Sequence, residues 1–336
     1  MLGVDIFMSI PGPKENLVPG QEYDINKMFY RDYMIEYFDE KVVLNIDLLN
    51  NSKEYIEKIL DKELMIGKIK FEAGKDFDAK KVEKYAKCEL VETYYHCLET
   101  FMRLFIAHAS FQPCPLIEIV SITPHDYRKK VNQIISSNFD NLNNKYDGDD
   151  TILLVFFGSR KNSTSITERQ LKNLKEWIVF CAKELKKMDE YNSFKHGLSM
   201  FAGYGAIKVS NPNTGNVVFE KEGDAIHILE NKNCNTRYKF NQKNIFVEYD
   251  FKVTLTIFFN ELIKNMIQVG CYRYVQHDEN SKLIATHLTE FNYFELMDLF
   301  YKEGDLGAKL DSYSIPLIYE DDLENQLEDN NDENRC

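Results

Sequence analysis

Val82–Ser110 reads VEKYAKCELVETYYHCLETFMRLFIAHAS and is the longest helical pattern in the chain, with no Gly or Pro inside it. Tyr85, Leu90, Val91, Tyr94, Tyr95, Leu98, Phe101, Met102, Phe105 and Ile106 recur at three- and four-residue spacing. A stripe that wide predicts a helix in the middle of a bundle, not one resting on a surface. Asp78 stands where an N-cap belongs. Pro113 and Pro115 end the pattern, since proline cannot continue a helix.

Upstream of this stretch the reading is mixed. Residues 1–22 carry Pro11, Pro13 and Pro19 and form an irregular lead-in. Tyr23–Glu40 is aromatic-rich and begins with a short helix. Val42–Leu49, VVLNIDLL, alternates as a strand does. Ser52 precedes a helical run, KEYIEKILDKELM, and Gly67 and Gly74 bracket a short strand, KIKFEA.

Downstream, Thr123-Pro124 opens a helix, with Pro at the favoured first turn. Asn138–Asp150, NFDNLNNKYDGDD, is polar and reads as a linker or exposed loop. Ile152–Phe157, ILLVFF, is a buried strand or a helix fragment, and periodicity does not choose between them. Ser165-x-x-Glu168 reads as a capping box before QLKNLKEWIVFCAKELKKM. A further helix begins near Asp189. After Gly203 and Gly205 the pattern becomes extended, with five short strands separated by NPNTGN, EGD and ENKNCN, an antiparallel meander. Long helices follow at Phe251–Gly270 and Glu290–Lys302.

The fold class expected is therefore mainly α (α+β): a helical bundle with an inserted or appended antiparallel β-meander. Four segments are expected. Residues 1–81 are a mixed N-terminal region and 82–205 the helical core with the candidate site. Residues 206–318 are the meander and the helices that pack on the core. Residues 319–336 are an acidic tail too polar to fold by itself.

The 336 residues are ample for a sizeable core, and 44% hydrophobic with 13% aromatic content describes a globular protein. Of the formal charge of −13, Tyr319–Cys336 supplies eight acidic residues against one Arg, so the body is only mildly acidic. No general basic footprint for nucleic acid exists, and an RNA surface would have to be a local patch. The tail is a solvating terminus, or a competitor of nucleic acid for such a patch.

Seven cysteines, with no CxxC pair, predict reduced thiols rather than a disulfide framework. No zinc spacing, cofactor loop or nucleophile turn appears, so no metal or cofactor is expected. The N-terminus has no basic segment before its short apolar run. The most apolar long stretch, Phe251–Val269, contains Lys252, Asn260, Glu261, Lys264 and Asn265, so no membrane is expected and the location expected is cytoplasmic.

Two constellations carry chemistry. Arg103 and His108 close the long helix, with four residues between them. A His near neutral pKa can move the proton of a ribose hydroxyl, and an Arg can neutralise the charge growing on a phosphate, with no metal required. Along the same helix Glu89, Glu92, His96, Glu99 and Arg103 form a polar stripe, read as a solvated face or as a polar groove. The second constellation is Asn192, Lys195, His196 and Gly197, with Asn192 and His196 on one helical face. An amide, a cation and an imidazole together suit a phosphate or a base edge.

The motif Arg103-Leu-Phe-Ile-Ala-His108 resembles the HEPN superfamily of helical domains, whose signature is an Arg, four to six residues and a His on a bundle helix. The position after the Arg, often polar in that family, is Leu104 here. The resemblance implies a metal-independent endoribonuclease of toxin–antitoxin or phage-defence type. Arg103 would then stabilise the phosphate and His108 would be the acid–base group, while Glu99, Asn192, Lys195 and His196 support the site or orient RNA. It further implies RNA as partner, a homodimer, and a regulatory protein. The plainer alternative is a helix end, in which Arg103 pairs with Glu99 one turn back and His108 faces the helix C-terminus. The chain would then be a non-enzymatic helical protein-binding or scaffold protein.

Overall fold

The structure, a computed structural model, describes residues 17–18, 20–60, 64–71, 78–161, 166–186, 200–234, 237–246, 249–275, 290–292, 295–296 and 312–316. In chain order the elements are α1 (Gln21–Asp32), α2 (Tyr37–Asn50), α3 (Ser52–Leu60), β1 (Leu64–Ile66), β2 (Ile69–Phe71), α4 (Ala79–Ala109), α5 (Pro115–Ser121), α6 (Pro124–Ile135), α7 (Gly148–Phe157), α8 (Glu168–Lys186), β3 (Met200–Ser210), β4 (Val217–Cys234), β5 (Arg237–Phe246), α9 (Tyr249–Tyr274) and β6 (Ser312–Pro316). This is the mainly helical α+β fold with an antiparallel meander that the pattern predicts.

The chain divides into two units, each gathered from three stretches. One unit gathers Met1–Asp47, Leu90–Met188 and Asp250–Asp305; the other gathers Leu48–Glu89, Asp189–Tyr249 and Leu306–Cys336. The boundary falls inside α4, between Glu89 and Leu90.

In the first unit α4 is enclosed. From Cys97 to Ala109 every residue except Thr100 and Arg103 is buried. Phe101 packs edge-on to Phe259 of α9, with ring centroids 4.9 Å apart, and stacks with Phe156 of α7 at 6.0 Å. Trp177 of α8 meets Phe258 at 4.3 Å, and its indole N–H donates to the Phe291 carbonyl at 2.8 Å, so the large ring is buried with its polar atom satisfied.

Residues 42–49, expected as a strand, lie in α2. Phe38, Val42 and Asn45 are buried at helical spacing. Ile152–Phe157 resolves as helix: it ends α7, capped by the Asp147 side chain, which accepts from the Asp150 N–H. Gly148–Asp150 is the first turn of α7, while residues 138–147 form the mostly exposed loop that the sequence suggests. Its Asn143 side chain donates to Thr151 Oγ1 at 2.8 Å.

The capping box before α8 is Thr167-x-x-Gln170, two residues later than expected. The Gln170 side chain accepts from the Thr167 N–H at 2.9 Å, and Thr167 Oγ1 accepts from the Gln170 N–H at 3.2 Å. Among the described residues no helix is long and apolar enough to cross a membrane. In α9, Lys264 is held by Asp39 at 2.6 Å, Glu261 at 2.7 Å and Glu36 at 3.1 Å.

In the second unit the helical run after Ser52 stops at Leu60, and Leu64–Ile66 pairs instead with Ile69–Phe71 as a hairpin. The Ser52 hydroxyl donates to Glu83 at 2.8 Å, and Lys87 forms an ion pair with Asp224. The sheet runs β3-β4-β5-β6, antiparallel throughout. Its strands are longer and fewer than expected. NPNTGN makes a turn, closed by Gly215 N–H to Asn211 O and Asn211 N–H to Asn216 O, both 2.8 Å, while ENKNCN runs along β4 as far as Cys234 and its Asn235 lies outside the described residues. The EGD segment runs through β4, where Gly223 faces Gly205 across the ladder.

Candidate functional site

Arg103 and His108 leave α4 in different directions. Five residues at 100° each place them roughly 140° apart around the axis, and their surroundings differ accordingly. The His108 ring is 1% exposed. Its Nε2 lies 2.9 Å from Tyr30 Oη of α1, and its ring meets that of Tyr274 of α9 edge-on at 6.2 Å. Tyr30 and Tyr274 stack in parallel at 6.0 Å. Burial, and after it the Arg273 guanidinium, holds the imidazole neutral, with its pKa pushed down to about 3. Burial raises the pKa of the Tyr30 and Tyr274 hydroxyls. The group is therefore a neutral, hydrogen-bonded knot between α1, α4 and α9.

Arg103 faces α5 and α6. Its Nε and Nη2 both donate to Glu99 Oε1 at 2.9 Å, and its guanidinium carbon stands 4.6 Å from the centre of the Tyr127 ring. The Glu99 side chain is 9% exposed and that of Arg103 32%. The Arg forms part of the wall of a small opening of about 250 Å³ with Ser110, Glu118, Asp126 and Lys130, and His108 is not in that wall. Acids and bases in it nearly balance, so it is not an anion funnel.

The structure therefore does not bring Arg103 and His108 into one cleft. Glu99 supports Arg103, as the plainer helix-end reading has it. Further along the polar stripe, His96 lies edge-on to the Phe38 and Tyr37 rings at 5.2 and 5.9 Å, so this part of the stripe packs against α2. Asn192, Lys195, His196 and Gly197, with the helix expected to carry them, lie outside the described residues, as do most of Glu290–Lys302 and the acidic tail. Among the described residues no group of His, Cys, Asp and Glu is arranged to hold a metal ion.

Two features escaped the sequence reading. His227, 7% exposed in β4, joins a polar cluster in which its Nδ1 meets Asn244 Oδ1, and Gln242 donates to the same oxygen at 2.9 Å. Gly203 faces that imidazole, and a Cβ there would come within 2.7 Å of His227 Cδ2. The partners are cross-strand neighbours, so only the register joins them. The second is a lysine-rimmed groove of about 570 Å³ along α8. Its signal was the spacing of cations along that helix. No protein-family model matches the chain, and neither a curated protein nor a solved structure does.

Proposed function

We propose that this chain acts by binding and not by catalysis, as a helical protein-interaction or scaffold protein. The observation that carries this reading is the burial of His108. A general acid–base group has to reach its substrate and titrate near the working pH. His108 is 1% exposed, faces Tyr30, and is held neutral far below neutral pH. Arg103 supports the same conclusion, because its charge is already matched by the nearly buried carboxylate of Glu99. The partner required is a protein. Neither RNA nor a second copy of the chain is needed.

The test is RNA cleavage in EDTA by the full chain, with wild type compared to Arg103→Ala and His108→Gln after each is shown to be folded. The expected result is no cleavage above buffer by any of the three. Cleavage by wild type that both folded variants lose would overturn the reading. It would restore the endoribonuclease, with Arg103 on the phosphate and His108 as acid and base.

A further inference from the structure

The outer face of α8 differs in character from the acidic chain around it. Arg169, Lys172, Glu176, Val179, Lys183 and Lys186 follow at alternating steps of three and four, a straight seam along the helix. Arg169, Lys172, Lys183 and Lys186 are exposed, while Val179 and Phe180 are half-buried between them. Beside this seam runs the groove of about 570 Å³, with Phe139, Val179 and Phe180 as its apolar surface and Lys172, Lys175 and Lys183 as its cations. Glu176 is the single acid in the lining, 3.8 Å from Lys172. Lys175 is engaged by Asp149. Among the described residues Lys183 and Lys186 take part in no ion pair.

Resting on the binding reading above, we propose that this groove docks an acidic segment of a partner protein that carries apolar anchors. The anchors would cover Val179 and the exposed part of Phe180, above the buried Phe139, and the carboxylates would meet the lysines on either side. Charge complementarity argues for this occupant: Asp149 matches Lys175 and Glu176 stands beside Lys172, which leaves the lining with the excess cation of Lys183, and Lys186 follows it along the same seam. Nucleic acid fits less well. A single strand needs open aromatic faces on which to stack. The Phe180 ring turns inward, stacked on Phe259 at 6.3 Å and edge-on to Trp177 at 5.7 Å.

The experiment is a fluorescence-anisotropy titration of the full chain with a labelled synthetic peptide of glutamates with leucine at every fourth position. The expected result is saturable binding that weakens as salt is added. Lys172→Glu/Lys183→Glu should bind about tenfold more weakly. Val179→Ser should weaken binding without changing its salt dependence. Lys53→Glu/Lys58→Glu, on α3, should bind like wild type. No saturation, or an equal loss in the two lysine pairs, would overturn the proposal. So would tighter binding of a uridine oligomer through Lys172 and Lys183, which would assign the groove to nucleic acid. Failure of peptide binding leaves the cleavage result untouched, so a wrong groove and a wrong function are told apart.

Discussion

Tyr30 Oη lies 2.9 Å from His108 Nε2, and this contact joins the first helix to the end of the central one. A residue whose spacing from Arg103 suggests catalysis is placed by that bond in the packing of α1 and α9 on α4. The polar atoms satisfy each other where neither meets water, which is what makes the burial of both tolerable.

This relationship has a consequence for acid stability. In the unfolded chain His108 takes up a proton near the ordinary value of about 6.5. In the folded chain it stays neutral down to about pH 3. Between those limits the unfolded state binds more protons, so stability falls as pH is lowered through this window and is unaffected by this group above it. The slope approaches ~1.4 kcal/mol per pH unit once the unfolded ring is protonated. Urea unfolding of wild type and His108→Gln at about pH 7 and about pH 5 checks it. The stability difference between the two proteins should shrink at the lower pH. A difference that does not change with pH would mean that the ring is not held neutral by burial.

Arg103→Ala should destabilise although the side chain is partly exposed. It leaves the Glu99 carboxylate, 9% exposed, without its guanidinium. With the exposure of Arg103 taken into account, the expected loss is about 1–2 kcal/mol. Glu99→Gln in the same background should recover part of it, because the uncompensated charge is then gone. Denaturant midpoints of the two single variants and the double variant give the coupling. Additive losses would show that the pair contributes nothing.

The parts of the fold legible in the sequence are those where period and caps agree. Around α4 the apolar spacing, Asp78 and the following prolines all point to one helix, and the Lys81 N–H does donate to Asp78 Oδ1 at 2.9 Å. At α6, Thr123 before Pro124 marks the start, and its side chain accepts from the Asp126 N–H. Val42–Leu49 misled because it is apolar on nearly every side. Val43 and Leu44 remain 64% exposed, so strand and helix periods fit the same letters. The EGD of β4 looked like a turn because nothing local shows that Gly223 has Gly205 opposite it. In the candidate site, the Arg103–Glu99 pair was legible as a one-turn step. The opposed directions of Arg103 and His108 follow from the same helical geometry. The burial of His108 was not legible, since it depends on Tyr30, 78 residues earlier in the chain.

Thr167→Ala should lower stability by about 1 kcal/mol, the usual cost of losing an N-cap side chain. Thr167 Oγ1 accepts from the first turn of α8, and the Gln170 side chain closes the reciprocal bond. Gln170→Ala should cost less, because it removes only the returning half. Thermal unfolding of both variants measures the ranking, and a neutral Thr167→Ala would mean that solvent satisfies the first turn of α8 equally well.

Gly270→Ala decides between local preference and packing. In a helix interior alanine is favoured over glycine by about 1 kcal/mol, so propensity alone predicts stabilisation. Gly270 is buried in α9, however, and a Cβ there would come within 2.6 Å of Tyr30 Cζ and 2.7 Å of Tyr30 Oη. The ring has little room to yield, since Tyr274 stacks on it and His108 holds its hydroxyl. Overpacking of this kind costs typically ~1–3 kcal/mol, enough to reverse the sign. The variant should therefore be destabilised in urea. Loss of the Tyr30–His108 bond should also raise the pKa of His108 toward its ordinary value as the ring gains access to water, which an NMR titration of the imidazole would detect. A stabilised variant with an unmoved imidazole would show that Tyr30 does not occupy the space over Gly270.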